Sequence, residues 1–413
     1  MPIASEKTPP PNHLPEVERE NKTNPNRDPM PLPPIDIMAS RVAIELKHPS
    51  PLIGCRFDPS GRYLFTTAQD NSIQRFDLFT RKKTALLGHS SWSRGLGFVG
   101  TSATIMPITQ RATYPIPLNQ GGIFNALSSI AAAASSQVPN SPFTLISGDY
   151  LGELRWWDGT ADVPIATRTV KAHEGWLRAL DVSPDRKLLA TCGNDHLVKL
   201  WSASDGKPIR TLEGHASHVY NVAFHPGGKT LVSADLKGFV KEWEVETGKP
   251  LRELDAKVFH KYDSGFAADI GGIRGMAFSP DGQFLAGTGI TNVSNAFAGV
   301  GNPLVIQFDM KDGKAKQLKP KEAFQGTGWG VGYLPNGYLI AAGGAGQGRI
   351  WFWKPDDPAS AHLLNVPANI RDLALHPDGT AFAVSCFNGS AYVYTMLPGP
   401  VVAKKDAIAV PKK

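Results

Sequence analysis

The chain is poor in the features by which many functions announce themselves. Its 413 residues include only three cysteines, Cys55, Cys192 and Cys386. They are odd in number, far apart and set in apolar, strand-like runs, which argues against a disulfide framework and for buried thiols in a reducing compartment. The N-terminus holds no apolar run of signal-peptide length, and no apolar stretch anywhere reaches 18 residues. A soluble, cytoplasmic protein without membrane contact is expected. Lys and Arg exceed Asp and Glu by 43 to 37, yet never form a block of five or six, so the formal charge of +6 leaves nucleic acid an unlikely partner. Metal-ligand spacing is missing too: "HEGWL", His173 to Leu177, lacks the second histidine of a zinc-protease helix. Ser204-Asp205-Gly206-Lys207 matches Ser-x-x-Lys but reads as a hairpin turn, and the Gly-rich "GGAGQG" from Gly343 to Gly348 precedes a strand, so it offers no helix N-terminus to a phosphate. No cofactor, no metal and no catalytic residue is expected, and the chain reads as a non-enzyme.

What is plentiful is turn chemistry. Forty-one glycines and 34 prolines, with short runs of strand formers between them, predict an all-β protein. A turn built on Pro with Gly two residues on, or a near match, recurs at Pro59, Pro184, Pro226, Pro280, Pro335 and Pro377. Two of the intervals, Pro184 to Pro226 and Pro335 to Pro377, are 42 residues, and two others are 54 and 55. The 125 residues from Pro59 to Pro184 hold two units and a long insertion, with the missing turn at the "FVGT" that begins at Phe98. Seven units result. Each has an aromatic residue where its third strand should end: Phe76, Trp157, Trp201, Trp243, Phe308, Trp353 and Tyr394.

Gly88-His89 and Gly214-His215 near the start of units, and Trp157-Asp158 at the end of one, complete a pattern that resembles the WD-repeat β-propeller family, with its unit of ~40–45 residues. The resemblance covers residues 41 to 396. Departures are frequent, since Trp201, Trp243, Trp353 and Tyr394 are not followed by Asp, and the last three units lack the His. The resemblance implies a seven-bladed β-propeller of four-stranded blades, closed by the N-terminal strand "RVAIEL". Val42, Ile44 and Leu46 of that strand should be buried. The expected organisation is a disordered Pro-rich arm over 1–40, the propeller over 41–397 and a basic tail over 398–413. The resemblance also places His173, Thr191, Asp195 and Trp201 in one hydrogen-bonded structural set. A catalytic reading of that set would need an open cleft and a nucleophile beside the base. The neighbouring units have Leu151 and Lys237 in the place of Asp195, so their sets are expected to be incomplete.

Three insertions are particular to this chain. About 100–141 extends the connection between the first two strands of blade two, where Phe124, Leu127, Ile130, Ala131 and Ala134 lie at roughly helical spacing. About 255–271 enlarges the loop leading into blade five, and about 288–302 enlarges that blade's loop between its second and third strands. The latter two share the face of the His-bearing loops with the blade-six loop "PKEAFQGTGWG". Together they offer His260, Tyr262, Asp263, Phe266, Asn292, Asn295, Phe297, Phe324 and Trp329, with Phe259 among them, as a partner-binding surface. Aromatic anchors with a few polar groups are the composition of an interface hot spot. The expected function is a non-catalytic protein–protein interaction scaffold that binds a protein or peptide there and is monomeric by itself. The alternative is a propeller hydrolase or small-ligand receptor using the blade-five loops.

Overall fold

The protein is described by a computed structural model over residues 34–100, 142–295 and 299–398. The Pro-rich arm up to residue 33, the proposed helix within 101–141, Phe297 and the basic tail from 399 lie outside the described residues. Short strand-forming runs between Gly- and Pro-bearing turns fold into seven four-stranded antiparallel sheets, and one two-stranded hairpin stands apart from them. Blade three is typical: Leu177–Val182, Leu188–Gly193, Val198–Ser202 and Pro208–Leu212 lie in that order from the axis outward. The innermost strands contact one another in sequence around the whole circle, the seventh against the first, so the ring is closed. It is a seven-bladed β-propeller.

Burial follows from stacking. A blade has two faces and hides both only by lying between two others. Middle strands are accordingly buried along their length, as in Leu339–Gly344 and Ala381–Cys386, whereas rim strands such as Pro208–Leu212 are mostly exposed. The core is a series of clusters between adjacent blades. Ala190, Cys192 and Leu200 of blade three, for example, pack against Val219, Phe224 and Trp243 of blade four. All three cysteines are buried free thiols, and burial pushes Cys386 up to about 12. Toward the axis the blades converge and side chains must shrink. A Cβ on Gly330 would lie 2.5 Å from that of Leu373 in the next blade, and one on Gly95 2.8 Å from Leu180 Cγ.

The strand Arg41–Lys47 pairs antiparallel with Ser390–Thr395 as the outer strand of blade seven. Ile44 and Leu46 are buried, but Val42 is 49% exposed, contrary to the simple alternation of "RVAIEL". A bulge between Val42 and Ile44 shifts the register and turns Val42 out of the interface. Contact with the propeller also begins upstream of Arg41. The Asp36 N–H donates to the Met396 carbonyl at 3.0 Å, and Ile37 is buried against Leu334, Tyr394 and Met396.

Side chains near the axis also tie blades together. Asp181 Oδ2 accepts the Phe224 N–H at 2.8 Å, and Asp372 Oδ2 accepts the Cys55 N–H at 3.0 Å, each linking one innermost strand to the next. Burial pushes the Asp181 carboxyl up to about 6, against the hydrogen bonds from Phe224 and Val182. The folded chain therefore holds this proton to a higher pH than the unfolded chain, and its stability falls as pH rises from about 4 to about 6.

Two outcomes are expected. Deleting residues 1–33 should leave the thermal midpoint nearly unchanged. Deleting 1–47, with a ladder of bonds at ~1 kcal/mol net each and two buried aliphatic side chains, should lower it sharply or cause aggregation, as read by calorimetry and light scattering. Asp181→Asn, which keeps an acceptor oxygen for Phe224, should raise the thermal midpoint above wild type at about pH 8 and change it little near pH 4. An equal effect at both pH values would refute burial of the charge as its cause.

Candidate functional site

The expected histidine set of blade three closes on itself within the blade. His173 Nδ1 lies 2.8 Å from Asp195 Oδ1 and Nε2 lies 2.7 Å from Thr191 Oγ1, which accepts the Trp201 indole N–H at 2.9 Å. Burial holds His173 below its usual range. At Asp195 burial works upward, but the His173 hydrogen bond and charges outweigh it and set the carboxyl at about 2. The His173 side chain is shut from solvent, so the set has no opening through which a substrate could reach the imidazole.

The expectation that the neighbouring sets are incomplete is overturned. In blade two His89 Nδ1 meets Asp149 Oδ2 at 2.8 Å, and Ser147 Oγ bridges His89 Nε2 and Trp157 Nε1. In blade four His215, Asp235, Ser233 and Trp243 repeat that arrangement. The acid has moved rather than vanished. Asp149 and Asp235 end the second strand, whereas blade three has Gly193 there and supplies Asp195 from the turn two residues later. Both positions reach the same imidazole nitrogen, so Leu151 and Lys237 are the wrong residues to consult. Blade six, by contrast, has Gly343 where a hydroxyl would stand ten residues before Trp353, and the buried Trp353 indole N–H finds no partner. Asp235 also accepts the Lys237 and Phe239 N–H groups at 3.0 Å. Asp235→Ala should therefore cost ~1–3 kcal/mol in urea unfolding, at least as much as Asp195→Ala, because it strands several buried donors.

The loops of blades five and six do come together, in part. The insertion into blade five folds as a turn over Lys257–Phe259 and a hairpin of His260–Asp263 with Ala268–Gly271. The 288–302 insertion, expected as a loop, instead lengthens the second and third strands of blade five, Phe284–Asn295 and Val300–Asp309. Lys261 Nζ donates to the Val293 carbonyl at 2.6 Å, joining the hairpin to this extension, which in turn meets blade six through Gly326 N–H to the Gly301 carbonyl and Asn302 Nδ2 to the Phe324 carbonyl. A cleft of about 330 Å³ lies there, lined by Asn292, Asn302, Lys319 and Phe324.

The aromatic residues divide. Tyr262 and Phe266 stand on the hairpin, each 58% exposed, and Asn292 and Asn295 are exposed at the end of the neighbouring strand Phe284–Asn295. His260 is paired with Asp269 at 2.7 Å, and Asp263 Oδ1 caps the hairpin turn by accepting the Gly265 and Phe266 N–H groups. Phe259, expected on the surface, is buried in the core of blade five, where it anchors the hairpin's base. Phe324 is half-buried, edge-on to Trp351 and under the Arg349 guanidinium.

Trp329 departs furthest from expectation, because it belongs to the channel and not to the loops. In every blade the register of the first two strands slips near the start of the innermost one, at its second residue in six blades and at its third in blade six. The seven bulged residues are Ile53, Arg94, Arg178, Tyr220, Arg274, Trp329 and Arg371. A bulge re-aims its side chain, and these point into the mouth of the channel on the His-bearing side. The Trp329 ring centre lies 4.9 Å from the Arg371 guanidinium carbon, 5.7 Å from that of Arg274, and 5.2 Å from that of Arg94, which is on blade two. Tyr220 lies between Arg178 at 4.3 Å and Arg274 at 4.6 Å. The sparse scatter of basic residues along the chain conceals this convergence. Among the described residues no cluster of three or more His, Cys, Asp and Glu side chains is placed to hold a metal ion.

The WD domain, G-beta repeat family matches residues 41–77, 165–202 and 206–244. Each match runs from the outer strand of one blade through the third strand of the next, as the repeat overlaps the blade. With seven four-stranded blades and three complete His–Asp sets, the chain is a seven-bladed β-propeller whose matched segments are similar to WD repeats. It is 32% identical over 68 residues to polyadenylation factor subunit 2 of Candida albicans, across 16% of this chain and 12% of that protein. It is 29% identical over 124 residues to a ribosome biogenesis protein WDR12 homologue of Chlamydomonas reinhardtii, across 30% of this chain and 27% of the relative. The chain thus spans under a third of the length of either relative.

Proposed function

We propose that this propeller is a non-catalytic scaffold that binds a protein partner or peptide on the face of its His-bearing loops, with the blade-five hairpin as one anchor. The observation that carries the reading is the hairpin's build: a base fixed by buried Phe259 and by Lys261, and a tip that holds Tyr262 and Phe266 in solvent. Large rings held out on a rigid support lose little freedom on binding and bury much apolar area, which is the character of an interface anchor. One relative is named as a subunit, a protein that works within an assembly, and this supports the same reading.

Tyr262→Ala with Phe266→Ala should weaken recovery of partners by about tenfold or more in affinity capture from cells, while moving the thermal midpoint by no more than about 2 °C. A large fall in midpoint, with recovery unchanged per folded molecule, would show that the rings serve only to hold the loop.

A further inference from the structure

At the channel mouth four guanidinium groups, those of Arg94, Arg178, Arg274 and Arg371, converge from blades two, three, five and seven. None of the four forms an ion pair with a described carboxylate. Arg178 Nε donates to the neutral Asn194 amide at 2.7 Å and Arg274 is hydrogen-bonded to the Tyr220 side chain; otherwise the groups are met by ring faces. Burial, together with the neighbouring guanidiniums, holds Arg178, Arg274 and Arg371 below the usual arginine range. They nevertheless remain cations at neutral pH. The cluster therefore carries a concentrated positive charge with no ion-paired carboxylate among the described residues, only partly eased by cation–π contact. The buried Arg274 Nε, Arg371 Nε and Trp329 Nε1 also have no hydrogen-bond acceptor. Buried donors of this kind normally have one.

We propose that the channel mouth is an anion site that takes a phosphorylated side chain presented by a protein partner. This rests on the scaffold reading above and gives it a ligand chemistry. A carboxylate brings one negative charge, whereas a phosphoryl group brings nearly two and three acceptor oxygens, a better match to several guanidinium forks and free N–H groups. The arginines converge on one point instead of forming the track that a nucleic-acid backbone, with its regularly spaced phosphates, requires. Beside the point lies an apolar ledge for the residues that flank the phosphate. Tyr150 stacks on Trp176 at 4.3 Å, next to Trp92, and the two tryptophans are 42% and 39% exposed.

The test uses the whole chain and an immobilised degenerate peptide library centred on phosphoserine, beside serine- and glutamate-centred libraries and a mixed-sequence single-stranded oligonucleotide. Wild type should be retained about tenfold or more better on phosphoserine than on serine or glutamate and be released by inorganic phosphate, consistent with Arg-cluster recognition. Arg274→Gln with Arg371→Gln should reduce retention to the serine level while leaving the thermal midpoint unchanged or higher, since repulsion is relieved. A purely structural role would lower the midpoint instead. Arg94→Gln gives the same readout should the double variant fail to fold. Tyr262→Ala with Phe266→Ala should keep its phosphoserine preference, which separates this site from the hairpin anchor. Equal retention on phosphoserine and serine, a preference for the oligonucleotide, or undiminished retention of the folded arginine variants would overturn the proposal. Thermal protection by inorganic phosphate without a preference for the phosphopeptide would overturn the peptide occupant and leave the scaffold reading standing.

Discussion

A four-stranded blade cannot hide both its faces, and every other property of this protein follows from the ring that answers this need. Because each blade is covered by two neighbours, second strands such as Tyr63–Ala68, Leu339–Gly344 and Ala381–Cys386 are buried end to end and built mostly of apolar or small residues. Because the blades converge on an axis, innermost strands such as Ser93–Gly100 and Thr327–Tyr333 are rich in glycine, where a Cβ would collide with the next blade. The ring also depends on sequence-distant pairing. The fourth strand of blade seven comes from residues 41–47, so chain segments some 350 residues apart complete one sheet. Pairing of this kind covers the edge that Ser390–Thr395 would otherwise expose.

The histidine sets are unevenly complete from blade to blade. Blades two, three and four have His, acid, hydroxyl and Trp, whereas blade six leaves the Trp353 N–H unpaired and blade one, with Phe76 in place of the Trp, leaves buried Thr66 Oγ1 without a partner. A buried unpaired group costs on the order of 1–3 kcal/mol. A solenoid whose faces are all covered can carry a few such losses, provided that inter-blade packing stays intact.

The architecture was legible because its signal repeats: turn, spacing and terminal aromatic recur seven times, and periodicity of that kind survives departures in any single unit. Less legible were features that depend on side-chain reach. The offset of Asp195 does not reveal Asp149 and Asp235, because a residue two places earlier, at the strand end, reaches the same imidazole nitrogen. Val42 was misjudged because a bulge breaks alternation without leaving a mark in the sequence. Phe259 and Trp329 were grouped with exposed loop residues by their position in the chain, while the fold draws one into the core and the other into the channel.

The channel mouth shows what reading along the chain misses. Ile53, Arg178, Tyr220, Arg274, Trp329 and Arg371 each stand six residues before a turn proline, and Arg94 holds the equivalent place before Gly100. Read down this column of the repeat, four of seven residues are arginine and two are aromatic; read along the chain, they are isolated basic residues separated by dozens of others. Seven-fold arrangement turns a column into a ring, so a modest net charge of +6 can coexist with a local field strong enough to select an anion. The same bulge that lifts each side chain out of its sheet keeps these charges away from the packed faces between blades. The ring can therefore hold an unneutralised cluster at its axis, because the interactions that close it lie elsewhere.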